Sequence, residues 1–324
     1  MFSPTWDCEY IARTISPGHN KCHFGFTNKD IVVAFGIENP WIFSQIDNTR
    51  QKLGKAHVEK AETTAITFSA DGKLVCTGHA DGVFILWDVE GNKCTKYKHV
   101  NPEKILFISF LENPEKIVIL DEKGVVSVAT TVISQSCEVI LQTSLYNLKS
   151  PITSFVQRSR NTFALTSKDV FLSLQVNRKM DLFFYSSVKE NSINIVPKSF
   201  DLYPYQDNDQ NKSLILYTDG KKAYLEKCPI SIDNAAFLIP GEHPIEKCFF
   251  IDQEHIILLY NNNTASVFSI QDKRKVHTES GLPSIVDNTN VIFFENTLIY
   301  YNNAFVIPYK IDFRTERVSS FMME

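Results

Sequence analysis

The residues best placed to do chemistry lie in the run Thr77-Gly78-His79-Ala80-Asp81-Gly82. A histidine two residues from a carboxylate could act as an acid–base pair or as two ligands of a metal ion. The same run also reads as a tight turn, because Asp-Gly supplies the positive φ such turns need. The turn accounts for both His79 and Asp81. The other seven of the eight histidines are scattered without metal-ligand spacing. The seven cysteines (Cys8, Cys22, Cys76, Cys94, Cys137, Cys228 and Cys248) are odd in number and include no CxxC. That usage points to a reducing compartment, with neither a disulfide framework nor a zinc site. There is no GxSxG elbow, HExxH, P-loop or GxGxxG. Glu246 and Lys247 are an isolated charged pair in an otherwise apolar segment. No catalytic residue, metal ligand or cofactor is expected, and the chain does not read as an enzyme.

What the residues around Asp81 do suggest is a strand arrangement. Ala65–Phe68, Leu74–Thr77 and Val83–Trp87 are short apolar runs separated by Asp71-Gly72 and Asp81-Gly82. A fourth strand, Lys93–Lys98, follows Gly91-Asn92. The same hairpin signature recurs along the chain. Marker turn residues fall at Asn39, Gly82, Gly124, Lys168, Gly220, Asn263 and Asn303, at steps of 43, 42, 44, 52, 43 and 40 residues. A period of about 40–45 residues with four strands per unit is that of a β-propeller of the WD-repeat kind. The spacing therefore predicts an all-β, seven-bladed WD-repeat-like propeller occupying residues 1–324 as one domain. Its blades are expected over 20–56, 57–99, 104–142, 151–187, 193–239, 244–280 and 284–324. The long step coincides with Asp201–Asn211, a polar stretch that reads as a loop insertion. Closure is expected from Tyr10–Ile15, with Arg317–Met322 as the competing outer strand.

In a well-formed WD repeat, a histidine, a Ser or Thr, an Asp and a Trp form one hydrogen-bonded set inside the blade. Thr77, Asp81 and Trp87 occupy the last three places here. His57 is the candidate for the first, although it sits about two residues early; a surface loop histidine is the alternative.

Composition narrows the partners. Lys plus Arg is 33 and Asp plus Glu is 37, a net charge of −4, whereas a surface that tracks phosphates is usually basic. Nucleic acid is not expected as a partner. No secretory signal and no run of about 18 apolar residues is visible. A propeller without chemistry is usually a rigid platform whose loops meet other proteins. Tyr203 and Tyr205, in the loop-like stretch, are candidate partner-binding anchors.

A narrower resemblance rests on IARTISPGHN, VCTGHADGVFILWDVEGNKC, KILFISFLENPEKIVILDEKGVVSVATT and KSPITSFVQRSRNTFALTSKDVFLSLQV. These resemble the amino-terminal propeller of the vacuolar protein sorting-associated protein 8 family, subunits of the CORVET endosomal tethering complex. The resemblance covers about half the chain. It implies a scaffold in vesicle-mediated transport that binds an activated Rab GTPase and other tethering subunits. It also implies a cytoplasmic protein, peripheral on endosomal membranes only through its partners. The family's helical solenoid and zinc module do not follow in this sequence, so a truncated chain, a fragmentary gene model and a free-standing paralogue all stay open. The alternative is a generic WD-repeat adaptor, in ubiquitin ligation or RNA processing.

Overall fold

The second strand of each hairpin is apolar at consecutive positions, a pattern that requires cover on both faces. The chain provides that cover by packing sheets face to face in a closed ring. The computed structural model describes residues 2–4, 22–27, 30–44, 49–54, 61–98, 101–113, 115–132, 138–148, 152, 154–159, 161–167, 170–179, 183–192, 197–207, 210–228, 237–285, 289–294, 297–301 and 306–311. Among these residues there are seven four-stranded antiparallel sheets. The chain is an all-β, seven-bladed WD-repeat-like propeller.

Blade 1 comprises Cys22–Phe26, Asp30–Phe35, Trp41–Ser44 and Thr49–Lys52. Blade 2 comprises Thr63–Phe68, Leu74–His79, Val83–Asp88 and Lys93–Lys98. Blade 3 takes Ile105–Phe110, Lys116–Asp121, Val125–Val132 and Glu138–Asn147. Blade 4 takes Ser154–Ser159, Thr162–Thr166, Val170–Lys179 and Phe183–Ser192. Blade 5 consists of Ser199–Asp207, Gln210–Thr218, Lys222–Cys228 and Phe237–Pro240. Blade 6 consists of Ile245–Phe250, His255–Tyr260, Thr264–Ser269 and Arg274–Ser280. Blade 7 has Asn290–Phe294, Thr297–Tyr301 and Val306–Ile311, and its outer strand is Phe2–Pro4, with Ser3 paired to Lys310. The strand that closes the ring is thus the very start of the chain. Residues 10–15 and 317–322, the two sequence candidates, lie outside the described residues.

The second strands show how the ring is held. In blade 1, Ile31 and Val33 pack toward blade 7 while Val32 packs toward blade 2. In blade 2, Val75 faces blade 1, and Leu74 and Cys76 face blade 3. In blade 3, Ile117 and Ile119 face blade 2, and Val118 and Leu120 face blade 4. In blade 6, Ile256, Leu258 and Tyr260 face blade 5, and Ile257 and Leu259 face blade 7. Successive side chains of a strand point to opposite faces, so one apolar run feeds two junctions. Each fully buried Leu, Ile or Val contributes about 1.5–3 kcal/mol.

The first strand of each blade lies innermost. Polar side chains stitch these inner strands together. Thr64 Oγ1 donates to the Ile105 carbonyl at 2.6 Å, and Ser109 Oγ donates to Gln157 Oε1 at 2.6 Å. The Phe250 amide donates to Asp201 Oδ2 at 2.8 Å, and the Cys248 amide to Ser199 Oγ at 3.2 Å.

Within the stretch read as a loop, Asp201–Asp207 and Gln210–Asn211 are strand. Tyr203 pairs with Leu214 and Asp207 with Gln210, so the stretch forms the two arms of a long hairpin. Pro204 is tolerated because the inner strand is an edge of its sheet, where a missing amide hydrogen breaks no ladder bond.

Blades 2 and 3 approach closely at Gly78, where a Cβ would lie 2.5 Å from Ile105 Cγ2 and 3.0 Å from Ile105 Cβ. Gly78→Ala is expected to lower stability by about 1–3 kcal/mol in urea unfolding, the usual cost of overpacking. The double variant Gly78→Ala/Ile105→Ala is expected to lose less than the sum of the two single changes.

Candidate functional site

The polar residues singled out in the sequence converge on the end of blade 2. Trp87 Nε1 donates to Thr77 Oγ1 at 3.0 Å, and Thr77 Oγ1 lies 3.0 Å from His79 Nε2. His79 Nδ1 is 3.2 Å from the Ala61 carbonyl. A carbonyl only accepts, so Nδ1 carries the proton and Nε2 accepts from Thr77. The direction of the chain is fixed: indole to hydroxyl, hydroxyl to imidazole, imidazole to backbone. All three side chains are buried.

His57 lies outside the described residues. The histidine bonded to Thr77 is His79, two residues along the same strand. Asp81 is exposed and its Oδ1 accepts from the Val83 amide at 3.1 Å, closing the turn at Gly82, where φ is 76°. His79 and Asp81 therefore hold different parts of one hairpin rather than a shared proton or ion. Among the described residues, no three His, Cys, Asp or Glu side chains gather as metal ligands.

Sequence reasoning passed over Asp121, which ends the second strand of blade 3 as His79 ends that of blade 2. It is fully buried. Its Oδ1 accepts from the amides of Lys123 and Val125 at 3.0 and 2.9 Å, and its Oδ2 accepts from Asn101 Nδ2 at 3.1 Å. An Asp closing an apolar strand, followed by Glu-Lys-Gly, is the signal that could have found it.

Three inner strands share one irregularity at their second residue, besides a shift between Gln157 and Ser159 near the end of the blade 4 inner strand. The pairing register shifts between Thr63 and Ala65, between Ile105 and Phe107, and between Ile245 and Lys247. Bulges re-aim a side chain. Thr64 is aimed at blade 3, Glu246 meets Lys198 Nζ at 2.7 Å, and Leu106 is left 37% exposed. Burial depresses the pKa of the neighbouring Lys247 ammonium.

Tyr203 is partly buried on the inner strand of blade 5, its ring 5.6 Å from that of Phe250. Tyr205 lies on the same strand, opposite Lys212. On the other face of the blade, Tyr217 donates to Glu226 Oε1 at 2.5 Å and stacks on Tyr224 at 5.0 Å. Burial first, and then the Glu226 carboxylate, push the Tyr217 phenol well above its ordinary range.

This geometry defines a WD-repeat-like propeller whose blade 2 carries a hydrogen-bonded Trp–Thr–His set. Residues 31–144, from the second strand of blade 1 to the outer strand of blade 3, match the Vps8 beta-propeller family. The chain resembles that propeller. A chain in a solved structure, titled the crystal structure of the mitotic checkpoint complex, superposes with a TM-score of 0.60 at 13% identity. The match covers 96% of this chain and 90% of that one, and it shows the fold alone. No curated protein matches the chain. No helix among the described residues is long and apolar enough to cross a membrane.

Thr77→Val is expected to strand both the Trp87 indole and the His79 imidazole, costing about 2–3 kcal/mol in equilibrium unfolding. Thr77→Ser keeps the hydroxyl and is expected to retain most of that stability. Equal losses in the two variants would show that the threonine methyl, not the hydrogen-bond chain, matters at this position.

Proposed function

We propose that the chain is a non-catalytic interaction platform of an endosomal tethering assembly, capturing a Rab-type GTPase in its GTP-bound form. The observation that carries this reading is the match of residues 31–144 to the Vps8 beta-propeller family. The arrangement of polar groups supports it. The Thr77, His79 and Trp87 set, Asp121, Asp201 and Thr64 are all engaged in holding strands and blades. Binding residues on a rigid scaffold usually sit outside such structural bonds. Membrane association then comes through partners, on the cytosolic face of endosomes, in traffic directed to the vacuole or lysosome. Other tethering subunits are the further partners of this reading.

Tyr203 and Tyr205, on the inner strand of blade 5, are the aromatic positions to test as anchors. The full chain, immobilised, is expected to retain a GTP-loaded endosomal Rab protein at least tenfold over the same protein loaded with GDP. Tyr205→Ala is expected to reduce that capture at an unchanged melting temperature. Equal recovery of both nucleotide states would overturn the Rab assignment. Undiminished capture by the variant would remove Tyr205 from the contact.

A further inference from the structure

The outer strand of a blade ends its sheet, and an uncovered strand edge is a template for pairing with another chain. Six of the seven blades blunt that edge. In blade 7 the outer strand, Phe2–Pro4, is three residues long and ends in proline. In blade 5 it is Phe237–Pro240, four residues that again end in proline. Blade 1 also has four, two of them Arg50 and Lys52. Blade 2 places Lys93, Lys96 and Lys98 among its six. Blades 3 and 6 have longer outer strands, but the pairing register shifts twice along the first and once along the second. Short strands, lysines, prolines and bulges are the usual protections of a sheet edge.

Blade 4 does none of this over most of its length. Its outer strand, Phe183–Ser192, has ten residues. All ten pair with Val170–Lys179 in unbroken register, from Lys179 opposite Phe183 to Val170 opposite Ser192. Among the described residues the strand is the last of its sheet, with no strand paired beyond it. It contains no proline, and its first six residues, Phe-Phe-Tyr-Ser-Ser-Val, carry no charge. Lys189 and Glu190 follow and cancel each other. A long, regular, neutral edge rich in aromatic and β-branched residues is the kind that accepts a further strand.

We propose that this edge pairs with the same edge of a second copy of the chain, antiparallel about a twofold axis at Ser186. A twofold perpendicular to a sheet keeps each side chain on its own face, so one residue must stand opposite itself. With Ser186 there, Tyr185 lies opposite Ser187, Phe184 opposite Val188 and Phe183 opposite Lys189 of the other copy, each pair occurring twice. No like charges stand opposite each other, and the Phe184–Val188 combination of aromatic and β-branched residues is a favourable cross-strand pair. A strongly charged segment of another protein would find no counter-charge along the six neutral residues, whereas a second copy brings the same neutral sequence. The contact is isologous, so it closes at two copies and does not propagate. It joins two rings through one eight-stranded sheet, and it does not draw on the Rab reading.

The test is sedimentation velocity of the full chain from about 1 to about 100 μM, the range that suits an interface of this modest size. A reversible shift from one chain to two is expected as concentration rises. Ser186→Lys and Ser186→Glu each set like charges opposite each other at the axis. Each variant is expected to stay a single chain, with the melting temperature of the dilute unsubstituted protein. Mixed in equal amounts, the two are expected to form a pair containing one of each. Hydrogen exchange on the unsubstituted chain gives a reading that needs no variant: the amides of residues 183–189 are expected to exchange more slowly as concentration rises. An unsubstituted chain that stays single at the highest concentration overturns the proposal, as does a Ser186→Lys variant that pairs like the unsubstituted chain. Edge amides protected only when a different protein is added would assign the edge to that protein and overturn self-pairing.

Discussion

Burial of both faces of every second strand is the constraint on which the rest of the ring depends. A single sheet with apolar runs such as KIVIL or HIILL could not cover itself, and an open stack would leave its two end blades bare. The cluster that joins Ile31, Val33 and Phe43 of blade 1 to Ile299 of blade 7 makes the stack a circle. Phe2–Pro4 adds the outer strand that blade 7 would otherwise lack. With only three residues, that strand contributes little area. Its role is to cover the outer edge of Val306–Ile311 and join the two ends of the chain in one sheet.

Once the apolar junctions carry the stability, the polar set of a WD repeat is free to erode. The last position of the second strand shows this blade by blade. In blade 2 it is His79, bonded to Thr77 and to the incoming linker. In blade 3 it is Asp121, which holds its own turn and Asn101. In blade 5 it is Thr218, whose hydroxyl donates to the Lys222 carbonyl and accepts from the Gly220 amide. In blade 6 it is Tyr260, whose ring fills the junction. Each residue solves a local problem at the same place, so no common side chain survives to mark the repeat.

This explains which features were legible in the sequence. Turn residues and the apolar runs between them are local, and both follow directly from the need for tight hairpins with two covered faces. The hydrogen-bond chain through Trp87 was half legible. The Trp87 indole donates to the Thr77 hydroxyl across adjacent strands, and that hydroxyl meets His79 from within its own strand, while His57, the histidine sought in the sequence, lies outside the described residues. The stretch 201–211 misled because Asn, Asp and Pro are turn residues in most contexts. Here they extend a hairpin whose inner arm is a free edge, where proline breaks no ladder bond. The closing strand carries no periodicity to read: three residues are too few, and their pairing partner lies at the opposite end of the chain.

Several polar side chains of the described inner strands are spent on contacts between blades. A reactive centre on a propeller would draw polar side chains from several inner strands toward one point. In this chain those strands direct theirs sideways. Thr64 reaches blade 3, Ser109 reaches blade 4, and Ser199 and Asp201 hold the backbone of blade 6. A carboxylate such as Asp201, buried and accepting backbone amides on both oxygens, cannot be released without leaving those donors unpaired. The same bonds thus hold blades 2 and 3, 3 and 4, and 5 and 6 together.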